Sequence, residues 1–87
     1  MRIYIVSKMI CDNKADYHVM EEPRLFASRE QARAYVDEDV KMYEKDLGYD
    51  VDEVKDWSKD GIPQVTVYFD GGFVEYRIDD FLAEEVK

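Results

Sequence analysis

One cysteine and one histidine occur among 87 residues. Cys11 therefore has no partner for an internal disulfide, and the sequence lacks the cysteine and histidine set of a structural zinc site, so folding rests on packing alone. Prolines number two and glycines four. With so few breaks the chain shows no linker, internal repeat or low-complexity run. Long apolar runs are missing too: Ile3-Tyr4-Ile5-Val6 is interrupted at once by Ser7 and Lys8. A signal peptide needs a longer stretch with a small-residue cleavage site, and a membrane helix needs about 20 apolar residues. The expectation is a cytoplasmic protein with no membrane association. Basic side chains are also outnumbered, 12 against 21 acidic, for a net charge of −9.

What is present fits one domain spanning residues 1–87. A domain this short buries only about 60% of the surface its unfolded chain exposes, which leaves little for a deep substrate cleft. Ile3, Ile5, Ser7 and Met9 alternate with Tyr4, Val6, Lys8 and Ile10, so residues 2–10 read as a strand with apolar groups on both faces, hence central. Asp12 and Asn13 offer turn chemistry, and Tyr17 to Met20 returns as a second strand ended by Glu21-Glu22-Pro23.

Ser28 followed by Gln31 is a capping-box pattern. From Arg29 onward Ala32, Tyr35, Val36, Val40, Tyr43 and Leu47 recur at spacings of three and four, which predicts one long helix closed by Gly48. Its length of about 19 residues corresponds to roughly 28 Å. Residues 49–60 fit either a helical turn, through Val51, Val54 and Trp57, or a short strand from about Glu53 to Ser58, and the strand is favoured. Gln64 to Phe69 and Phe73 to Ile78 flank Asp70-Gly71-Gly72, a hairpin signal. That pairing sets Val65, Val67 and Phe69 on the face of Val74, Tyr76 and Ile78. Asp79 or Asp80 is expected to cap a last helix through Phe81, Leu82 and Val86. The fold class is α+β, an antiparallel sheet of four to five strands with one long helix packed on one face and a short C-terminal helix.

Catalytic arrangements find little support. His18 has no serine in a nucleophile-elbow context. Cys11 and His18 would make a thiol–imidazole pair if the first hairpin brings them together, but a partly buried thiol and a surface imidazole are the commoner outcome. The acids Asp50, Asp52, Glu53 and Asp56 lack the glycine and terminal glutamate of a calcium loop, and no phosphate-binding glycine pattern occurs. No enzyme activity, metal or cofactor is expected.

Charge is the informative feature. Residues 1–36 hold six basic and five acidic side chains, residues 37–60 four and ten, and residues 61–87 two and six. If the acids of the middle segment gather in space, they repel nucleic acid and steer towards a basic surface. The plainer reading is a solvated face that keeps a small domain soluble. Twelve aromatic rings are many for this length; most fill the core, and Tyr49 and Trp57, set among acids, are the interface candidates.

In size, acidity and element order the chain resembles small phage-encoded inhibitors, anti-CRISPR proteins among them. The resemblance implies a non-enzymatic protein-binding domain, an inhibitor that blocks a basic nucleic-acid-binding surface of a partner protein without touching nucleic acid itself. The candidate partner-binding residues are Asp39, Asp46, Tyr49, Asp50, Asp52, Glu53, Asp56 and Trp57. The alternative is a structural or accessory module, monomer or homodimer, that self-associates through an uncovered sheet face or an edge strand using Tyr68, Phe73 and Tyr4.

Overall fold

The structure, a computed structural model, describes residues 1–82. Its elements are β1 (Arg2–Asp12), β2 (Tyr17–Met20), β3 (Arg24–Phe26), α1 (Arg29–Lys45), β4 (Val51–Asp56), a 3-10 turn (Trp57–Asp60), β5 (Gln64–Phe69) and β6 (Gly72–Leu82). The strands form one antiparallel sheet in the order β2-β1-β6-β5-β4, with β3 also against β1. The α+β class and the single helix on an antiparallel sheet agree with the sequence reading. Among the described residues no helix is long and apolar enough to cross a membrane.

Strand β1 is central, as two apolar faces require. One edge pairs with β6 along its whole length, from Arg2 opposite Leu82 to Asp12 opposite Gly72. Its other edge is shared, β3 taking Tyr4 to Val6 and β2 taking Met9 to Asp12. Glu21 to Pro23 separate these two short partners, and Glu21 still donates its N–H to the Lys8 carbonyl at 3.0 Å. Strand β3 escapes the sequence reading because three residues carry no period. It raises the strand number to six.

The helix begins where its cap predicts, with Ser28 Oγ accepting the Gln31 N–H at 3.2 Å. Ala32, Val36, Val40 and Tyr43 are buried against Val6, Ile10, Val65, Val67, Phe69, Val74 and Tyr76. Helix α1 stops at Lys45 with Asp46 as its cap, two residues earlier than the Leu47 end expected. The Asp46 and Leu47 N–H groups both converge on the Met42 carbonyl, the second in a wider bond across five residues that ends the helix, and Leu47 is left half-exposed.

The β5–β6 hairpin has the expected alternation, with Val65 opposite Tyr76 and Val67 opposite Val74 on the helix side. Its loop is Asp70-Gly71, with Gly71 at φ +92°, while Gly72 already pairs with Phe69. A side chain at Gly72 would overlap the Cys11 carbonyl, so glycine there lets β1 and β6 close.

Two expectations are corrected. The doubtful segment is a strand, as favoured, but from Val51 to Asp56 rather than Glu53 to Ser58; Val51 and Val54 lie on it, so the helical turn through Val51, Val54 and Trp57 does not form, and a 3-10 turn follows at Trp57–Asp60. Asp79 to Leu82 do not open a helix: they extend β6, because the backbone of Arg2 to Ile5 needs a ladder partner. Arg2 and Asp80 reinforce that pairing with an ion pair at 2.5 Å. The remainder of the expected C-terminal helix, Val86 included, lies outside the described residues.

Candidate functional site

The helix leaves one sheet face bare, and it also sorts the acids of residues 37–60 into separate environments. Asp39 lies on the buried stripe of α1 between Val36 and Tyr43. Lys8 sits on the helix-facing side of β1, between Val6 and Ile10. Their side chains, about nine-tenths buried, meet at 2.8 Å. Tyr76 Oη donates to the same Asp39 oxygen at 2.5 Å, and Glu21 approaches the Lys8 ammonium at 3.3 Å from the rim. The ammonium also lies over the rings of Tyr43 and Tyr76, 4.9 and 5.7 Å from their centroids.

Burial alone would pull the Lys8 ammonium down, but its hydrogen bonds with Asp39 and Tyr43 outweigh that and hold it above the ordinary lysine value. Burial raises the Tyr76 hydroxyl, and the bond to Asp39 raises it further. Burial likewise raises Tyr43, against the opposing pull of Lys8. All three groups therefore stay protonated. This network is buried and internally satisfied, and it ties α1 to β1 and β6.

Asp56 is occupied as well. Arg33 donates to Asp37 and to Asp56, each at 2.9 Å, and so ties the first half of α1 to the end of β4. The other Asp56 oxygen accepts from the Ser58 N–H and hydroxyl, which starts the 3-10 turn. These bonds, the Arg33 one foremost, hold the Asp56 carboxyl well below the usual carboxylate range. A groove of about 570 Å³ opens beside this clamp, floored by Ala34, Pro63, Val65 and Ile78. Of its two arginines, Arg33 is already paired and Arg29 lies over the Tyr4 ring.

The aromatic candidates are likewise partly committed. Tyr49 packs between Tyr43 and Phe69, at ring separations of 5.3 and 4.6 Å. Trp57 donates its Nε1–H to Thr66 at 3.2 Å, and Lys55 stacks on the indole at 3.9 Å.

Asp46, Asp50, Asp52 and Glu53 differ from the rest, since none has a salt-bridge partner among the described residues. Asp50 through Glu53 enter the outermost strand, β4, where the register shifts between Val51 and Glu53. The Asp70 N–H donates to the Asp50 carbonyl at 3.3 Å, which joins this corner to the β5–β6 turn. Lys14 is the cation that reaches it, paired with Asp70. That hydrogen bond and the Asp70 charge raise the Lys14 ammonium, with Asp12 and Asp50 adding to the field. The corner thus gathers Asp12, Asp50 and Asp70 around a single lysine, with Asp52 and Glu53 next along the strand.

Of the eight sequence candidates, then, Asp50, Asp52 and Glu53 lie together at the start of β4 without a salt-bridge partner among the described residues, Asp46 stands apart as the cap of α1, and Asp39, Tyr49, Asp56 and Trp57 are engaged in contacts within the molecule. Tyr68 and Phe73 lie opposite each other on the bare sheet face, whereas Tyr4 is on the helix side. The Lys8–Asp39 network was not foreseen, although a lysine and an aspartate on two apolar stripes that must meet are a signal for it. No protein-family model, curated protein or solved structure matches this chain.

Proposed function

We propose that this is a small non-enzymatic protein-binding domain that captures a basic segment of a partner along the outer edge of β4, and that the partner's segment is one that otherwise contacts nucleic acid. The reading rests on one observation: among the described residues Asp50, Asp52 and Glu53 have no salt-bridge partner where the chain enters the sheet's outermost strand. An edge strand offers unpaired backbone N–H and C=O groups to an added strand, and the carboxylates select a basic one. Asp39 and Asp56 drop out of this interface because Lys8 and Arg33 neutralise them.

Titrating an arginine-rich, strand-forming peptide into the labelled protein tests the reading. Amide shifts should concentrate on residues 50–56, affinity should fall with salt, and Asp50→Asn/Asp52→Asn/Glu53→Gln should slow association. Unchanged binding of that triple variant at low salt would sink the reading. Self-association through the bare sheet face is the second reading, favoured by the cross-strand Tyr68–Phe73 pair and by exposed Leu25 and Phe81. A monomer at high concentration in sedimentation would remove it.

A further inference from the structure

The β1–β2 hairpin stacks two sulfur-bearing pairs on the bare face of the sheet. Met9 is directly opposite Met20, and two residues along Cys11 is directly opposite His18. Residues at i and i+2 share a face, and opposed side chains in an antiparallel pair start about 5 Å apart. All four line one shallow cavity of about 290 Å³, together with Val19 and Phe73. Cys11 Sγ and His18 Nδ1 are already 3.1 Å apart. Neither methionine belongs to the hydrophobic core, and Met20 is 71% exposed on the outermost strand at this side. A thioether placed there contributes little to folding.

We propose that Met9, Cys11, His18 and Met20 bind one monovalent soft cation, Cu(I). The donor set is one thiol, one imidazole and two thioethers, with no carboxylate in the cavity wall. Such sulfur-rich sets select Cu(I), whereas zinc takes thiolate, imidazole or carboxylate. Among the described residues no group of three or more His, Cys, Asp or Glu is arranged for a metal, so a harder dication finds too few ligands here.

Loading needs one proton to leave Cys11 Sγ for solvent as the copper–sulfur bond forms. No electron is transferred. The Nδ1 lone pair of His18 faces the ion, which puts the ring proton on Nε2, 4.0 Å from Asp16 Oδ1. At that distance the fully exposed carboxylate is outside hydrogen-bond reach and is no outer partner to the ring. The chain's net charge of −9 raises the local cation concentration. Because the cavity opens to solvent at an edge strand, the ion is exchangeable.

The test is an anaerobic titration of the reduced full chain with Cu(I) against a chromophoric Cu(I) chelator, repeated with Ag(I) as a redox-inert probe on protein carrying 13C-methyl methionine. One equivalent should bind. The Met9 and Met20 methyl signals should move while Met1 and Met42 stay in place. Met9→Leu/Met20→Leu preserves bulk on a face outside the core and should weaken binding by more than the roughly 10- to 100-fold that an outer partner is worth. Cys11→Ser should abolish competition with the chelator. Stationary Met9 and Met20 methyls, a leucine double variant that binds like the parent, or full competition by Cys11→Ser would each overturn the proposal.

Discussion

Asp39 and Asp52 belong to the same acidic stretch, yet the fold treats them in opposite ways. Asp39 is carried by the buried stripe of α1 to Lys8 and the Tyr76 hydroxyl. Asp52 lies at the register shift of an edge strand and has no salt-bridge partner among the described residues. Water supplies the solvation of the second, whereas in the first every lone pair and proton must find a protein partner. Among the described residues no buried side-chain polar atom is left without one. Charge in this chain is therefore of two kinds. The buried charges fix how helix and sheet meet, and those at the β4 edge are left over for something outside.

The largest effect should come from breaking the buried pair. Lys8→Met strands the Asp39 carboxylate in the core and should cost about 3–5 kcal/mol in urea denaturation, a large share of the stability of a domain this size. Lys8→Met/Asp39→Leu removes both charges and should recover much of that loss, leaving chiefly the unpartnered Tyr76 hydroxyl. If the single and double variants are equally destabilised, the ion pair is not what joins the two surfaces.

Alkaline pH reaches the same network. Lys8, Tyr43 and Tyr76 all titrate higher in the folded chain than in the unfolded one. The folded state thus holds protons that the unfolded state has lost, and the stability they contribute is complete below about pH 10 and declines above it. Tyrosine absorbance should then show Tyr43 and Tyr76 ionising only as the chain unfolds.

A second, more exposed clamp sharpens the contrast. Asp56→Asn weakens both the Arg33 bridge and the cap of the 3-10 turn and should cost about 1 kcal/mol. The Asp56 carboxyl is held low in the folded chain, so its stabilisation is present above the unfolded value near pH 4 and is lost as pH falls below it. Stability measured from pH 6 to pH 2 should fall less steeply in the Asn variant. An identical slope would mean that Arg33 does not hold the carboxylate ionised.

These two clamps also mark what could be read from the chain. The period of α1, its Ser28 cap and the alternation of β5 and β6 are local signals, and the fold keeps all three. The end of α1 was misplaced because Leu47 continues the stripe by spacing, while the paired bonds to the Met42 carbonyl end the helix first. The last helix was misread because Asp79 and Asp80 look like caps until β1 is seen to need partners along its whole length. Lys8 and Asp39 each interrupt an apolar stripe, and each taken alone is an oddity. Only the packing of the two stripes makes them a pair. Register has the same role on the bare face, where Met9 and Met20 become neighbours of Cys11 and His18 only once β2 is aligned. A count of histidine, cysteine and acids passes over them.

The smallest expected effect tests the other half of the comparison. Carboxylates without cations on an exposed strand repel one another and Asp70, and they hold nothing in place. Asp50→Asn/Asp52→Asn/Glu53→Gln should therefore shift stability by no more than about 0.5 kcal/mol, with a slight gain at low salt where repulsion is least screened. Added salt should stabilise the parent chain as the Debye length falls to about 10 Å at 0.1 M, and should stabilise the triple variant less. Salt should leave the loss caused by Lys8→Met nearly unchanged, because a buried pair is poorly screened. A triple variant that is clearly less stable than its parent would mean these acids hold the fold together, and a side chain already holding the fold is not free to recruit a basic partner.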